Sequence, residues 1–118
     1  GFACRVRRVI ETSHPFPPKL ARVAATLFVS ERTLKRRLQE ENASFQNLVD
    51  QVRLERAGEL LKNTGMNLSQ IADVLGYADA ANFTRAFKRW TGTSPSHYRS
   101  QALQPVKAQV PSSMRASA

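Results

Sequence analysis

The chain has 118 residues, 42% of them hydrophobic, which suits one domain, or two very small ones sharing a helix, around a modest core. Eighteen Lys and Arg against nine Asp and Glu leave a net charge of +9. That balance points to a polyanion, with nucleic acid first and an anionic membrane surface second, beside the plain alternative of a solvated basic surface. A single cysteine excludes an internal disulfide, no Cys/His cluster offers a zinc site, and no stretch approaches the ~18 apolar residues of a membrane span.

In chain order, residues 5–12 read as a helix with Val6, Val9 and Ile10 on its apolar face. Cys4 beside it is expected as an inert, partly buried thiol. Pro15, Pro17 and Pro18 then force an extended turn. Leu20, Val23, Ala24 and Leu27 recur at i, i+3, i+4 and i+7, one face of an amphipathic helix. Ser30 is placed to cap a second helix anchored by Leu34 and Leu38 and flanked by Arg32, Lys35, Arg36 and Arg37, ending near Asn42. Ser44 caps a long helix of about 20 residues, or roughly 30 Å, with Phe45, Leu48, Val49, Val52, Ala57, Leu60 and Leu61 as its stripe and Gly65 as its stop. Asn67 with Gln70 forms a capping box before Leu68, Ile71, Ala72 and Leu75. Gly76-Tyr77 reads as a turn, and Asp79 caps a helix with Phe83, Phe87 and Trp90 inward that stops at Gly92. Ser94-Pro95 starts a last short helix. The stretch 101–118, rich in Ser, Ala, Gln and Pro, is expected to be disordered.

The chain repeats itself. Leu20/Leu68, Val23/Ile71, Ala24/Ala72 and Leu27/Leu75 are 48 residues apart, and beyond the turn Leu34/Phe83, Arg36/Arg85 and Leu38/Phe87 are 49 apart. A one-residue slip inside a turn is what a duplicated helix-turn-helix tolerates. Each unit needs a small residue where its two helices cross, and Ala24 and Ala72 supply it. The turn needs a residue that accepts positive φ, for which Gly76 is suited and Phe28 is not, so some strain or a slightly different turn is expected at Phe28. The second helix of each unit is expected to project outward, and a connector of roughly 30 Å compares with one B-DNA turn of ~34 Å. The expected division is 1–43 for the first unit, 44–63 for the connector and 64–100 for the second unit.

The stretch from Val23-Ala24 through Val29-Ser30-Glu31-Arg32-Thr33-Leu34-Lys35-Arg36-Arg37-Leu38 resembles the first unit of AraC/XylS-type regulators. The segment Ile71-Ala72-Asp73-Val74-Leu75-Gly76-Tyr77, with Asn82 to Gly92 and Ser94-Pro95 to Tyr98-Arg99, resembles that family's second-unit signature. The resemblance covers about residues 5–99. It implies an all-α fold, a seven-helix bundle of two helix-turn-helix subdomains joined by a long central helix. It also implies sequence-specific binding of double-stranded DNA that regulates transcription, usually as an activator, with RNA polymerase as protein partner. Carried over residue by residue, the base-reading positions are Arg32, Lys35 and Arg36 in the first unit and Ala80, Ala81, Thr84 and Arg85 in the second. Arg and Lys can donate to guanine, and Ala or Thr methyls can pack on thymine. Alanines at 80 and 81 depart from the polar residues of some relatives, so the first unit is expected to discriminate bases more strongly. Ser30, Thr33, Lys88 and Arg89 are the phosphate-contact candidates. Family members commonly carry an upstream sensing or dimerisation domain, and a chain opening on Gly1 is expected to be a piece of such a polypeptide, dimeric through that domain, cytoplasmic and nucleoid-associated.

Two other classes are weighed beside this one. A basic helical module could bind RNA or a protein, but the aromatics sit at core spacing rather than on a stacking surface. An enzyme would need a nucleophile–base pair, a Gly-rich phosphate loop or paired carboxylates, and none is arranged here; His14 and His97 lack an acidic partner pattern. No catalytic residue, cofactor or metal is therefore expected. Arg37 is read as solvent-facing or paired with a nearby Glu, and Arg53 and Arg56 as ion-paired with Glu55 or Glu59.

Overall fold

The computed structural model describes residues 1–102, and every regular element among them is a helix. The order is α1 (Phe2–Thr12), α2 (Leu20–Thr26), α3 (Glu31–Glu40), α4 (Phe45–Asn63), α5 (Leu68–Val74), α6 (Ala80–Thr91) and α7 (Pro95–Ala102). Residues 103–118, expected to be disordered, lie outside the described residues, whereas Gln101 and Ala102 close α7.

The first core gathers Phe2, Val6 and Ile10 of α1, Val23 and Ala24 of α2, Leu34 and Leu38 of α3, and Leu48, Val49 and Val52 of α4. Helix α1 begins at Phe2 rather than at Arg5, because the end of α3 caps it. The Glu41 carboxylate accepts from the Phe2 N–H at 2.8 Å and from the Ala3 N–H at 3.0 Å. Those two donors satisfy N–H groups that a helix start leaves without partners, and they hold the Glu41 carboxyl below the usual range. The same end places Arg37 over the Phe2 ring at 4.1 Å, a cation–π contact that spacing did not offer, while its charge also acts on the nearby Glu41 carboxylate. Cys4 falls on the solvent side of α1 and is exposed, not partly buried.

The α2–α3 turn carries the strain expected of it. Phe28 sits at φ 60, in the left-handed region that costs a non-glycine residue, and its side chain is 94% exposed. With so little packing to lose, Phe28→Gly is expected to stabilise the domain by about 1 kcal/mol. For a domain of this size, thermal melts would then show a midpoint about 4–8 °C higher. A lower midpoint would mean the Phe28 ring holds the turn.

Helix α4 threads both cores, giving Leu48, Val49 and Val52 to the first and Ala57 and Leu61 to the second. Ser44 caps its start, accepting from the Asn47 N–H at 3.1 Å. Its end is made by Thr64, whose backbone turns extended at φ −135, ψ 165 while its hydroxyl donates to the Leu60 carbonyl at 2.6 Å. Gly65, expected as the stop, is not among the left-handed glycines.

The second core joins Ala57 and Leu61 to Ile71, Ala72, Leu75, Phe83 and Phe87. Asn67 and Gln70 form the reciprocal capping box at 2.8 and 2.9 Å. Gly76 takes φ 85 in the α5–α6 turn, and Gly92 ends α6 at φ 84 with its N–H on the Lys88 carbonyl. Ala24 and Ala72 are both buried, each in the core of its own unit. Several of the expected apolar residues stand further out: Val9, Leu27, Phe45, Leu60 and Leu68 are half-buried against the cores. Leu20 is half-buried at the edge of the first core, and Trp90 is half-buried and lines a hollow with Asn47, Asp50, Gln51 and Leu54 of α4.

Candidate nucleic-acid interface

Each unit presents one helix, α3 in the first and α6 in the second, with one face in the core and the other in solvent. In α3, Leu34 and Leu38 are one turn apart and fully buried, which turns Arg32, Lys35 and Arg36 outward at i, i+3 and i+4. All three are exposed. In α6, buried Phe83, Ala86 and Phe87 leave Ala81, Arg85 and Arg89 on one exposed strip at i, i+4 and i+8, with Lys88 exposed beside it. Ala80 and Thr84 form a half-buried shoulder to this strip.

The starts of both helices are built alike. Ser30 accepts from the Thr33 N–H at 3.0 Å and donates to the Thr33 hydroxyl at 3.0 Å, and Asp79 accepts from the Asn82 N–H at 2.8 Å. Each cap occupies one N–H of the first turn. The partial positive charge and the remaining N–H groups there suit an anion. Ser30 and half-buried Thr33 are thus engaged with each other, which leaves the backbone at Glu31 and Arg32 as the more open donor set of that turn.

Sequence reasoning missed Asn82. Its carboxamide oxygen accepts from the Arg85 guanidinium, which sets the direction of that side chain along α6. The i, i+3 spacing of the pair was the available signal.

The ion pairs among the described residues join Arg7 to Glu11 and Glu55, and Arg53 to Asp50. All lie on α1 and α4. Pairs of Arg53 and Arg56 with Glu55 or Glu59 were expected. Instead Arg53 donates to the Leu75 carbonyl at 3.1 Å and lies over the Tyr77 ring, while Arg56 donates to the Glu11 carbonyl and lies over Phe16. The Glu55 carboxylate is taken by Arg7 from α1. The exposed cations of α3 and α6 have no carboxylate partner within this set, so their charge remains available to an anion. No helix among the described residues is long and apolar enough to cross a membrane.

Two helix-turn-helix units with a shared central helix and outward basic strips define the class of nucleic-acid-binding helix-turn-helix proteins. Residues 23–101 match the family model described as a helix-turn-helix domain. The regulator VqsM of Pseudomonas aeruginosa, named an HTH-type transcriptional regulator, is 37% identical over 99 residues, covering 84% of this chain and 30% of that protein. A DNA-binding transcriptional dual regulator from Escherichia coli K-12 has the same fold at a TM-score of 0.83 and 30% identity, covering 89% of this chain and 95% of that one. The DNA-binding domain of AdpA, solved in complex with a target DNA, superposes at a TM-score of 0.68 and 26% identity, covering 85% and 90% of the two chains. The chain belongs to the AraC-type family of helix-turn-helix domains. It spans less than a third of the length of VqsM.

Proposed function

We infer that the chain is the DNA-reading part of a longer transcriptional regulator, and that α3 and α6 enter successive major-groove segments on one face of a duplex. Residues 1–43 and 64–100 are the reading units and 44–63 the connector. The observation that carries this reading is the pair of exposed basic helix faces, one on each repeat. Support also comes from the 19-residue helix α4 within the connector, which at 1.5 Å per residue spans about 28 Å and is comparable to one turn of B-DNA. Arg32, Lys35 and Arg36 read base edges in the first segment. Arg85, held by Asn82, is the chief polar reader in the second, where Ala80, Ala81 and Thr84 offer methyl groups to thymine. Backbone N–H groups at the capped starts, with Ser30, Thr33, Lys88 and Arg89, position the duplex through phosphates. Activation through RNA polymerase, dimerisation through an upstream domain, and a cytoplasmic, nucleoid-associated location belong to the same reading.

Selection from a random duplex library followed by footprinting tests it. Two half-sites about one helical turn apart are expected, with sharper base preference in the half-site bound by α3. A single short site, or better competition by single-stranded RNA than by duplex, would overturn it. Arg36→Ala and Arg85→Ala are each expected to weaken specific binding by about 1–3 kcal/mol and to relax one position of the site. Titrations on single-base variants of the selected site check this. Uniform weakening across all variants would move that arginine to the phosphates.

A further inference from the structure

The two reading units touch each other directly, away from the bulk of α4. The loop from Ser13 to Lys19 leaves the first unit and lies on the α5–α6 turn of the second. Phe16 packs against both cores. The Pro17 ring sits so close to Gly76 that a Cβ there would collide with it and would meet the Phe16 carbonyl oxygen at 3.4 Å. Two arginines one turn apart on α4 hold the two sides. Arg56 covers the Phe16 ring at 4.4 Å and donates to the carbonyl of Glu11, which precedes the loop. Arg53 covers the Tyr77 ring at 4.8 Å and donates to the Leu75 carbonyl on the other side.

We propose that this contact is the element that sets half-site spacing: Phe16, Pro17 and Arg56 of the first side, against Leu75, Gly76 and Tyr77 of the second, hold α3 and α6 at one mutual angle. The proposal rests on the two-helix docking above. The geometry favours it over α4 acting alone. The clamped turn leads directly into α6 at Ala80, and the clamping loop leads directly into α2 at Leu20, so the contact controls both units close to their reading helices. Each base pair inserted between half-sites moves the second one by roughly 3.4 Å and rotates it by roughly 34° about the duplex. A pair of units held together rigidly cannot follow such a displacement, whereas units joined by a single helix could follow it by bending.

The test compares the 118-residue parent with Phe16→Ala and with the milder Pro17→Gly/Arg56→Gln pair. Each is titrated against duplexes whose half-sites are displaced by zero, one or two base pairs, and against each half-site alone. The parent is expected to lose about tenfold or more per base pair of displacement, comparable to the loss of a base contact. The variants are expected to stay within about threefold across spacings while binding isolated half-sites as the parent does. A second readout needs no DNA. In a Cys4→Ser background, spin labels at Gln39→Cys on α3 and Ser96→Cys on α7 should give one narrow distance distribution in the parent and a clearly broader one in the variants. Variants that keep the parent's spacing profile, lose affinity equally on every duplex including single half-sites, or keep its distance distribution overturn the proposal and leave the docking standing. A parent indifferent to the second half-site removes the docking itself, and this inference with it.

Discussion

Raising monovalent salt from 50 to 200 mM is expected to weaken specific DNA binding by about 10³-fold, which corresponds to about six neutralised phosphates on B-DNA. The physical basis is counterion release: each phosphate paired with a Lys or Arg frees condensed cations, and that gain shrinks as bulk salt rises. Lys19, Arg22, Arg32, Lys35 and Arg36 in the first unit and Arg85, Lys88 and Arg89 in the second are exposed and lie outside the ion pairs that occupy Arg7 and Arg53. Not all of them need touch phosphate for a steep slope. Fluorescence anisotropy of a labelled operator at five or six salt concentrations measures the slope directly. An affinity that barely changes over this range would show that the exposed cations of the two units do not neutralise phosphates, and would overturn the docking of α3 and α6 on a duplex. Neutralising Lys88 as Lys88→Ala is expected to lower the slope by about one and leave base preference unchanged, which separates a positioning contact from a reading one.

Phe83→Ala is expected to cost about 3–5 kcal/mol of folding free energy, through lost transfer energy and an unfilled cavity. Phe83 is fully buried, and it stands in the middle of a row of rings. Its centroid lies 5.8 Å from Tyr77 on one side and 5.8 Å from Phe87 on the other, and Phe87 continues to Tyr98 of α7 at 5.4 Å. Removing the ring therefore unseats α6 from the turn before it and from α7 after it. For a domain whose whole stability is about 5–15 kcal/mol, that is a large share. The two cores have separate buried members, with Phe16 as the residue packed on both, so the loss should be local. Circular dichroism and amide exchange should show the second unit melting at lower temperature while the protection of Val23, Leu34 and Val52 persists. A loss under about 1 kcal/mol would mean that the second core repacks around the gap, and its aromatic row would not be what orients α6.

Much of this architecture could be read along the chain because it depends on local chemistry. The i, i+3, i+4 and i+7 recurrence at Leu20 and again at Leu68 marks helix faces whatever they pack against. The oxygens of Ser30, Ser44 and Asp79 and the pair Asn67–Gln70 act within four residues of themselves. The strain at Phe28 could be read from its repeat-mate Gly76. What escaped was decided at long range. The start of α1 depends on Glu41, 39 residues from Phe2, and no window along the sequence contains both. Arg53 and Arg56 were assigned Glu55 or Glu59 by spacing, but their planar guanidinium groups found aromatic rings and backbone carbonyls supplied by other elements, with Asp50 beside Arg53. Leu20 and Trp90 have core chemistry at helical spacing, yet the edges of the two cores leave them half-exposed. The candidate readers came from the family resemblance, and the inward placement of Leu34, Leu38, Phe83 and Phe87 agrees with it; the role of Asn82 beside Arg85 was open to i, i+3 spacing and went unread.

By itself the order of amino acids determined that this protein is helical, that it is a duplication, and which face of each helix is oily and which is basic, because period, capping and charge are properties of neighbouring residues. Only the tertiary structure decided how the two halves are set against each other. That setting rests on Phe16 and Pro17 meeting the turn at Gly76, residues about 60 positions apart, and contacts at such separation arise only when the packing of both cores brings them together.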